Sequence, residues 1–256
     1  MKISIVTVCY NSAKTIRDTI ESVLSQTYAD VEYIIVDGAS TDGTIEIVDS
    51  YRNQVSKFIS EPDHGIYDAM NKGIAAATGD VVGLLNSDDV YEHKDVLTDV
   101  VSSFSERSSA DIIFGDVVFA SPDNMNRVVR YYRSSHFRPW KLRFGWMPPH
   151  PATFVRREVY EKYGLYSLNY RIASDYEIFV RWMLLNKLRY HYLDAVLVRM
   201  RTNGVSTSGW KSSVVITKEI VRACRDNGVY TNLPLILTKV PFKLMELWRQ
   251  PVGSGA

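Results

Sequence analysis

Along the first ninety residues, short β-branched runs alternate with stretches whose apolar residues recur every three or four positions, the pattern of strand–helix units around a parallel sheet. Ile3 to Val8 reads as a buried strand. Ile16, Ile20, Val23 and Leu24 then share one helical face ending near Gln26, with Asn11 or Ser12 as its cap. Tyr33 to Val36 is the second strand, followed by the turn-rich GASTDG and a short helix carrying Ile45 and Val48. Lys57 to Ser60 is a weaker third strand. The helix after it, from about Tyr67 to Ala77, turns Met70 and Ile74 inward and stops at Gly79. Asp80 to Leu85 is a fourth, strongly apolar strand.

From Asp111 the alternation loosens. Strands are expected at Ile112 to Phe114, near Arg127 to Tyr132, at Ala152 to Val155 and at Tyr190 to Val198, with a helix at about Asp175 to Leu185. This half reads as an α+β addition closing over a crevice. No repeat, low-complexity tract or linker divides the chain. Polar residues gather where the early strands end, at Asn11, at Asp37 and in the run Asn86 to Asp89. Ligands of an open parallel sheet bind at the carboxyl ends of its strands, so these clusters are expected to converge on one crevice.

Composition narrows the options. The 256 residues are 46% apolar and 23% charged, as in an ordinary globular protein. Thirty basic against 29 acidic residues give a net charge of +1, which supplies no field for nucleic acid. Cys9 and Cys224 belong to no CxxC pair or Cys/His cluster, which excludes a disulfide scaffold and a structural zinc site. The N-terminus lacks a small-residue cleavage site and no apolar run reaches the ~20 residues that span a bilayer, so a cytoplasmic protein is expected.

A dinucleotide fold places glycines after its first strand so that a pyrophosphate can rest on bare backbone. Cys9-Tyr10-Asn11-Ser12 has none. Carboxylates with a divalent cation are the other way to hold a diphosphate. Asn86-Ser87-Asp88-Asp89, directly after an apolar strand, offers oxygen ligands suited to Mg2+ or Mn2+, or else a plain turn or helix cap. Asp37 either accepts hydrogen bonds from a base or ribose or closes an Asx turn. Asp42-Gly43 reads as a turn.

The segments VTVCYNS, VDGASTDGT, DHGIYDAMNKGIAAATGD and LLNSDD, in this order across residues 3 to 89, resemble the inverting glycosyltransferases of family 2, which have the GT-A fold. The likeness continues in FGD, HPATFVRREVYEKYGLY, ASDYEIFVRW and NGVST, to about residue 207. It implies an α/β fold with a mostly parallel central sheet flanked by helices. Residues 1–95 would form a nucleotide-binding half, 96–207 an acceptor-binding half and 208–256 a helical extension.

The resemblance implies roles as well. Thr7, Tyr10 and Asn11 line the nucleotide pocket, Asp37 contacts the nucleoside, and Asp63 and Lys72 border base and diphosphate. Asn86 and Ser87 complete that pocket, with Asp88 and Asp89 on a Mn2+ or Mg2+ ion. Asn86 stands where the family's DxD motif begins with a carboxylate, a departure that moves the negative charge onto Asp88 and Asp89. Asp175 is the implied catalytic base, its pKa raised by burial or by neighbouring Glu177; the alternative is a cap on the helix that follows it. Asp116 and His150 are candidates for the donor sugar or acceptor, and Trp146 and Trp140 for stacking on a sugar, against the more common fate of core packing.

Expected substrates are a nucleotide-sugar donor, a UDP-sugar, and a glycan or lipid-linked saccharide acceptor. Residues 233–249 set Leu233, Ile236, Leu237, Val240, Leu244, Leu247 and Trp248 at helical spacing among basic residues, interrupted by Pro234 and Pro241. That segment either packs on protein or lies peripherally on a membrane. The rival functions are a nucleotidyltransferase, which would show a glycine-rich basic loop after its first strand, and a sugar-nucleotide-binding module without turnover.

Overall fold

The computed structural model describes residues 1–202 and 209–239. Four strands, β1 (Ile3–Cys9), β2 (Val31–Asp37), β3 (Lys57–Ser60) and β4 (Val81–Asn86), pair in parallel in the order β3-β2-β1-β4. Helices α1 (Ile16–Leu24), α2 (Thr44–Asp49) and α3 (Ile66–Ala76) connect them. The register sets Cys9, Asp37 and Ser60 side by side and Asn86 opposite Val8, so all four strands end on one line.

The strands have two buried faces, and period-two alternation assigns each residue to one of them. Val6, Val8, Ile34, Val36, Val82 and Leu84 face α3. Ile3, Ile5, Tyr33, Ile35, Val81 and Leu85 face the opposite core, which holds Ile16, Ile20 and Val23 of α1. Helix α3 lies so close that a Cβ at Gly73 would stand 2.2 Å from Val6 Cγ1.

The second half extends this sheet, where the sequence suggested an addition closing over it. After β5 (Val90–Tyr91) and α4 (Val96–Glu106) come β6 (Ile112–Ser121), β7 (Asn124–Tyr132), β8 (Thr153–Arg156), α5 (Arg157–Tyr163), α6 (Ser174–Phe179), β9 (Tyr190–Arg201), α7 (Gly209–Asp226) and α8 (Leu233–Leu237). Among the described residues nine strands form one sheet, continuing β4-β8-β6-β9-β5 with β7 beside β6. β8 runs antiparallel between β4 and β6, and β9 returns parallel to β6. Helix α4, unforeseen from the sequence, buries Val96, Leu97, Val100 and Phe104. Helix α6 continues through a π-helical turn, Val180–Leu185.

Two local expectations are corrected. Thr15, without a side-chain hydrogen bond, is the N-cap of α1, because Asn11 and Ser12 are engaged elsewhere. Gly79 does not cap α3; its place reflects close approach, since a Cβ there would meet Ser4 Oγ at 2.7 Å and Lys2 O at 2.9 Å.

Helix α7 packs its Ile220, Ala223 and Cys224 into the core, and α8 buries Ile236 while Leu233 and Leu237 stay exposed. NGVST and the expected amphipathic run beyond Lys239 lie outside the described residues. No helix among the described residues is long and apolar enough to cross a membrane.

Candidate active site

The loops that follow the parallel strands are laced together by side chains. Asn11, in a left-handed conformation (φ 47°), donates its N–H to Ser40 Oγ (2.8 Å), and its Oδ1 accepts the Thr41 N–H (2.9 Å). Ser12 donates its N–H to Thr44 Oγ1 (2.8 Å), and Ala13 donates to Asp42 Oδ2 (3.0 Å). Three successive backbone N–H groups that a glycine loop would offer to phosphate are therefore occupied by the β2–α2 loop. Asp42 also accepts the Thr44 N–H, the turn expected of it. The Ser12 and Ser87 hydroxyls, 2.9 Å apart, tie the β1 loop to the β4 loop.

Asp37 is fully buried. Its Oδ2 accepts from Ser40 N (3.0 Å) and Ser60 Oγ (2.8 Å), and its Oδ1 from Ser40 Oγ. The Cys9 thiol adds a contact at 3.6 Å. The carboxylate thus builds the turn, the alternative left open above, and binds the ends of β2 and β3 to one another. Thr7 is likewise engaged: it is fully buried, with Oγ1 accepting the Tyr33 hydroxyl (3.1 Å).

What faces the rim is a different trio. Tyr10 is 65% exposed. A Cβ on Gly38 would stand 2.5 Å from Asp63 Oδ2 and 3.3 Å from Tyr10 Cδ2, so the absent side chain lets both groups converge over the β2 end. Asp63 fixes its own loop through the Gly65 N–H (2.8 Å). Lys72 lies alongside, held by Glu61 (2.8 Å), the Pro62 carbonyl (2.9 Å) and Asp68 (3.7 Å).

At the end of β4 the two adjacent carboxylates separate. Asp89 is 1% exposed; its Oδ2 accepts the Asn86 amide (3.1 Å). Burial, then the charge of Asp88, pushes its pKa well up, and the Arg201 backbone N–H and guanidinium partly offset this. Asp89 therefore orients Asn86 from within the protein. Asp88 remains partly exposed, and burial raises its pKa against the pull of its own N–H and of Arg201. A carboxylate withdrawn from water is what a cation would relieve, so a divalent ion fits at Asp88. Among the described residues no three His, Cys, Asp or Glu side chains form a ready-made cage, and diphosphate and water oxygens would have to complete the shell, as Mg2+ commonly requires. Arg201, which also bridges Asp18 (2.9 Å) and the Pro122 carbonyl (2.9 Å), was missed because β9 runs three residues past its expected end.

Asp175 opens α6 on the wall facing α3. Its Oδ1 accepts the Tyr176 N–H (2.8 Å) and lies 3.4 Å from the Tyr67 hydroxyl, which donates to the Ile172 carbonyl. Burial raises its pKa to about 6, against these two hydrogen bonds, while the group keeps partial exposure. The capping alternative is not realised: Ala173 is the N-cap, without a side-chain bond. Glu177 does not supply the expected repulsion, since it turns away to pair with Arg181 (3.0 Å) and Asn227 (3.1 Å).

Tyr67 stacks on Tyr166 (5.8 Å between centroids), and Tyr166 meets His150 Nε2 at 2.6 Å. Burial depresses the His150 pKa to about 4, so it is neutral at physiological pH. Asn71 clamps the Tyr166 backbone in both directions, at 2.9 Å each. His150 and Asp175 thus belong to one aromatic cluster. A cleft of about 320 Å³ opens beside it, lined by residues 64–67 and 168–171.

Asp116 is elsewhere. It is buried and accepts from Ser134 N (2.7 Å), Tyr131 OH (2.8 Å) and Tyr192 OH (3.1 Å), so it knits β6, β7 and β9 together. Trp146 is half-buried after the turn Pro139–Phe144; the exposed indole is Trp140 (56%), edge-on to Phe144.

A family model described as "Glycosyl transferase family 2" matches residues 4–164. The chain belongs to that family. It is a glycosyltransferase, 28% identical over 229 residues to a PGL/p-HBAD biosynthesis glycosyltransferase of Mycobacterium bovis, covering 86% of this chain and 82% of that protein. An uncharacterized glycosyltransferase of Mycobacterium tuberculosis is 32% identical over 184 residues, 70% and 68% of the two chains. Among solved structures, Staphylococcus aureus TarS 1-349 in complex with UDP-GlcNAc superimposes with a TM-score of 0.67 at 20% identity, covering 87% of this chain and 66% of that one, slightly less than two thirds. The mannosyltransferase PcManGT of Pyrobaculum calidifontis, in complex with GDP-Man and Mn2+, gives 0.66 at 17% identity, covering 96% and 71%. These neighbours show the GT-A fold.

Proposed function

We propose that the protein is an inverting transferase that moves a sugar from a nucleotide diphosphate sugar, a UDP-sugar, to a hydroxyl of a glycan or lipid-linked saccharide in surface polysaccharide or glycolipid assembly. The observation that carries the proposal is Asp175: a half-buried carboxyl with its pKa at about 6, 3.4 Å from the hydroxyl of Tyr67, which lines an open cleft. A general base works best when its pKa lies near the working pH. The Tyr176 and Tyr67 bonds fall on Oδ1, which leaves Oδ2 to take the proton from the acceptor hydroxyl.

Tyr10 and Asp63 contact the nucleoside, over the loop that Asp37 builds, and Asn86 and Ser87 contact the diphosphate side. A Mn2+ or Mg2+ ion at Asp88 would neutralise charge on the leaving nucleoside diphosphate. The occupied N–H groups of residues 11–13 argue against a phosphate-cradling loop and hence against a nucleotidyltransferase. Residues 1–207 act as the catalytic unit, its nucleotide half in 1–95 and acceptor half in 96–207, with 208–256 as an extension; exposed Leu233 and Leu237 are where it would touch a membrane peripherally.

Thermal shifts with UDP, GDP, dTDP and CDP, each with Mn2+, identify the nucleotide, and UDP is expected to give the largest. Turnover should release nucleoside diphosphate, and NMR of the product should show the anomeric configuration inverted. Retention of configuration, or parental turnover by Asp175→Asn, overturns the proposal.

A further inference from the structure

Helix α7 is remote in sequence from the proposed base, yet it grips the segment that carries it. Glu219, Arg222 and Asp226 are spaced three and four residues apart and share one helix face. Arg222 donates to the Asn169 carbonyl and covers the Tyr170 ring (4.2 Å), and Asp226 accepts the Tyr170 hydroxyl (2.6 Å). Glu219 does more. Its Oε1 accepts the Arg171 N–H (2.9 Å) and its Oε2 accepts those of Ile172 (2.9 Å) and Ala173 (3.0 Å). These are the last three backbone donors before Ser174 and Asp175, and Ala173 is the N-cap that has no side-chain bond of its own.

We propose that Glu219 is a positioning residue for the transfer reaction: its carboxylate clamps three consecutive N–H groups, fixes Asp175 at the head of α6, and stations a negative charge behind it. The proposal rests on Asp175 being the base. One carboxylate meeting three N–H groups leaves the 171–173 backbone a single conformation, and that sets where Oδ2 of Asp175 points. The charge of Glu219 also disfavours ionisation of Asp175, in the role sequence reasoning gave to Glu177. The other titratable groups facing Asp175 are Tyr67 of α3 and Tyr166 of the connection before α6. Burial raises both phenols above their ordinary values, so neither changes charge near neutral pH, and Glu219 is the like charge that acts on the base.

The test uses the full chain with Mn2+ and follows hydrolysis of UDP-GlcNAc or GDP-Man, whichever is turned over faster, from about pH 4.5 to 8.5, the range in which a base of this kind titrates. Glu219→Gln removes the charge and leaves an amide N–H facing a backbone N–H. Its kcat should fall on the order of 10- to 100-fold, the cost of a base displaced by about 1 Å, while KM for the sugar nucleotide stays within about twofold. The acid limb of its pH profile should shift to lower pH, because an unopposed Asp175 ionises more readily. Glu219→Asp keeps the charge on a shorter arm, so kcat should drop while the limb stays in place.

Parental kcat and an unmoved limb in Glu219→Gln overturn the proposal, as does a loss that merely tracks the folded fraction measured by circular dichroism. Should Glu219→Gln not fold, Glu219→Asp decides, and parental kcat there overturns it. Asp175→Asn separates the two levels. If it is inactive while Glu219→Gln is parental, only the Glu219 proposal fails; if Asp175→Asn itself is parental, the base assignment fails and takes Glu219 with it.

Discussion

Glu32, near the amino end of β2, and Asp175, on α6, are both carboxyl groups drawn out of water, and they titrate in opposite directions. At the amino end of β2, Glu32 meets the Ser4 hydroxyl (2.6 Å), the Thr78 N–H (2.7 Å) and hydroxyl (2.8 Å), and the Lys2 (3.3 Å) and Lys57 (3.5 Å) ammonium groups. Burial alone would raise its pKa, but these donors outweigh burial and hold it at about 2. Asp175 meets the Tyr176 N–H, its own N–H and one distant hydroxyl, with no cation beside it, and burial wins. A satisfied carboxylate holds the sheet together, and an unsatisfied one is left ready to take a proton.

The largest test of that contrast exchanges each acid for its amide. Asp175→Asn should lower kcat on the order of 10³-fold, within the range for removal of a general base, with nucleotide binding and melting temperature near parental. Glu32→Gln should do the reverse. It leaves Lys2 and Lys57 facing a neutral amide and sets an amide N–H against the donors of Ser4 and Thr78, which should cost about 1–3 kcal/mol of stability, the range for an unsatisfied buried polar group, with kcat per folded molecule unchanged. Calorimetry and steady-state assays on both variants decide; matching losses of activity and stability in either would erase the distinction.

Acid separates the two carboxyl groups without mutation. Activity should fall as pH drops through about 6, where Asp175 takes up its proton. Stability should not follow at once. His150, held neutral to about 4, weakens the fold as pH falls from its ordinary 6.5, because the unfolded chain protonates first. Asp175, raised from 3.8 to about 6, strengthens it over nearly the same interval, because the folded chain protonates first. The two roughly cancel. Glu32 then loses its stabilising charge from about 4.5 downward toward 2. An interval near pH 5 in which the protein is folded but keeps only about a tenth of its activity is the expected outcome; circular dichroism and activity falling together would contradict it.

The parallel half was legible because its signals are local. Period-two and period-3.6 patterns located β1 to β4 and α1 to α3, and Lys57 to Ser60 matched to the residue. The site was legible only as residue types. Whether a carboxylate such as Asp37 or Asp116 faces a cleft or its own turn depends in part on partners many residues away, and for Asp89 on the rotamer of a near neighbour, neither of which a residue type reveals. Ser60 closes Asp37, Tyr131 and Tyr192 close Asp116, and Asn86 draws Asp89 inward. Glu219, Asn71 and Tyr67 were invisible because each acts through a contact 46 to 108 residues away. The DAMNKG segment held one clue, an amide on the same helix as Tyr67, which periodicity alone cannot distinguish from a solvated side chain.

The finest comparison is between two crowded glycines, neither of them in a left-handed conformation. At Gly73, a methyl group would stand 2.2 Å from Val6 Cγ1, on a strand fixed by neighbours on both sides, so helix and sheet must part. Gly73→Ala should cost about 1–3 kcal/mol, as overpacking does, and leave nucleotide affinity alone. At Gly38 the methyl would meet the tip of Asp63, a half-buried side chain that can rotate outward, and the edge of the Tyr10 ring, which is mostly in solvent. The fold yields there at little cost, but the two proposed nucleoside contacts are pushed apart. Gly38→Ala should therefore melt within a degree or two of the parent while binding its nucleoside diphosphate about three- to tenfold more weakly, the loss of about one hydrogen bond. Isothermal titration with the nucleotide chosen by thermal shift measures it. Unchanged affinity would remove Tyr10 and Asp63 from the nucleotide pocket and leave the rim of β2 as scaffold, like the end that Glu32 holds.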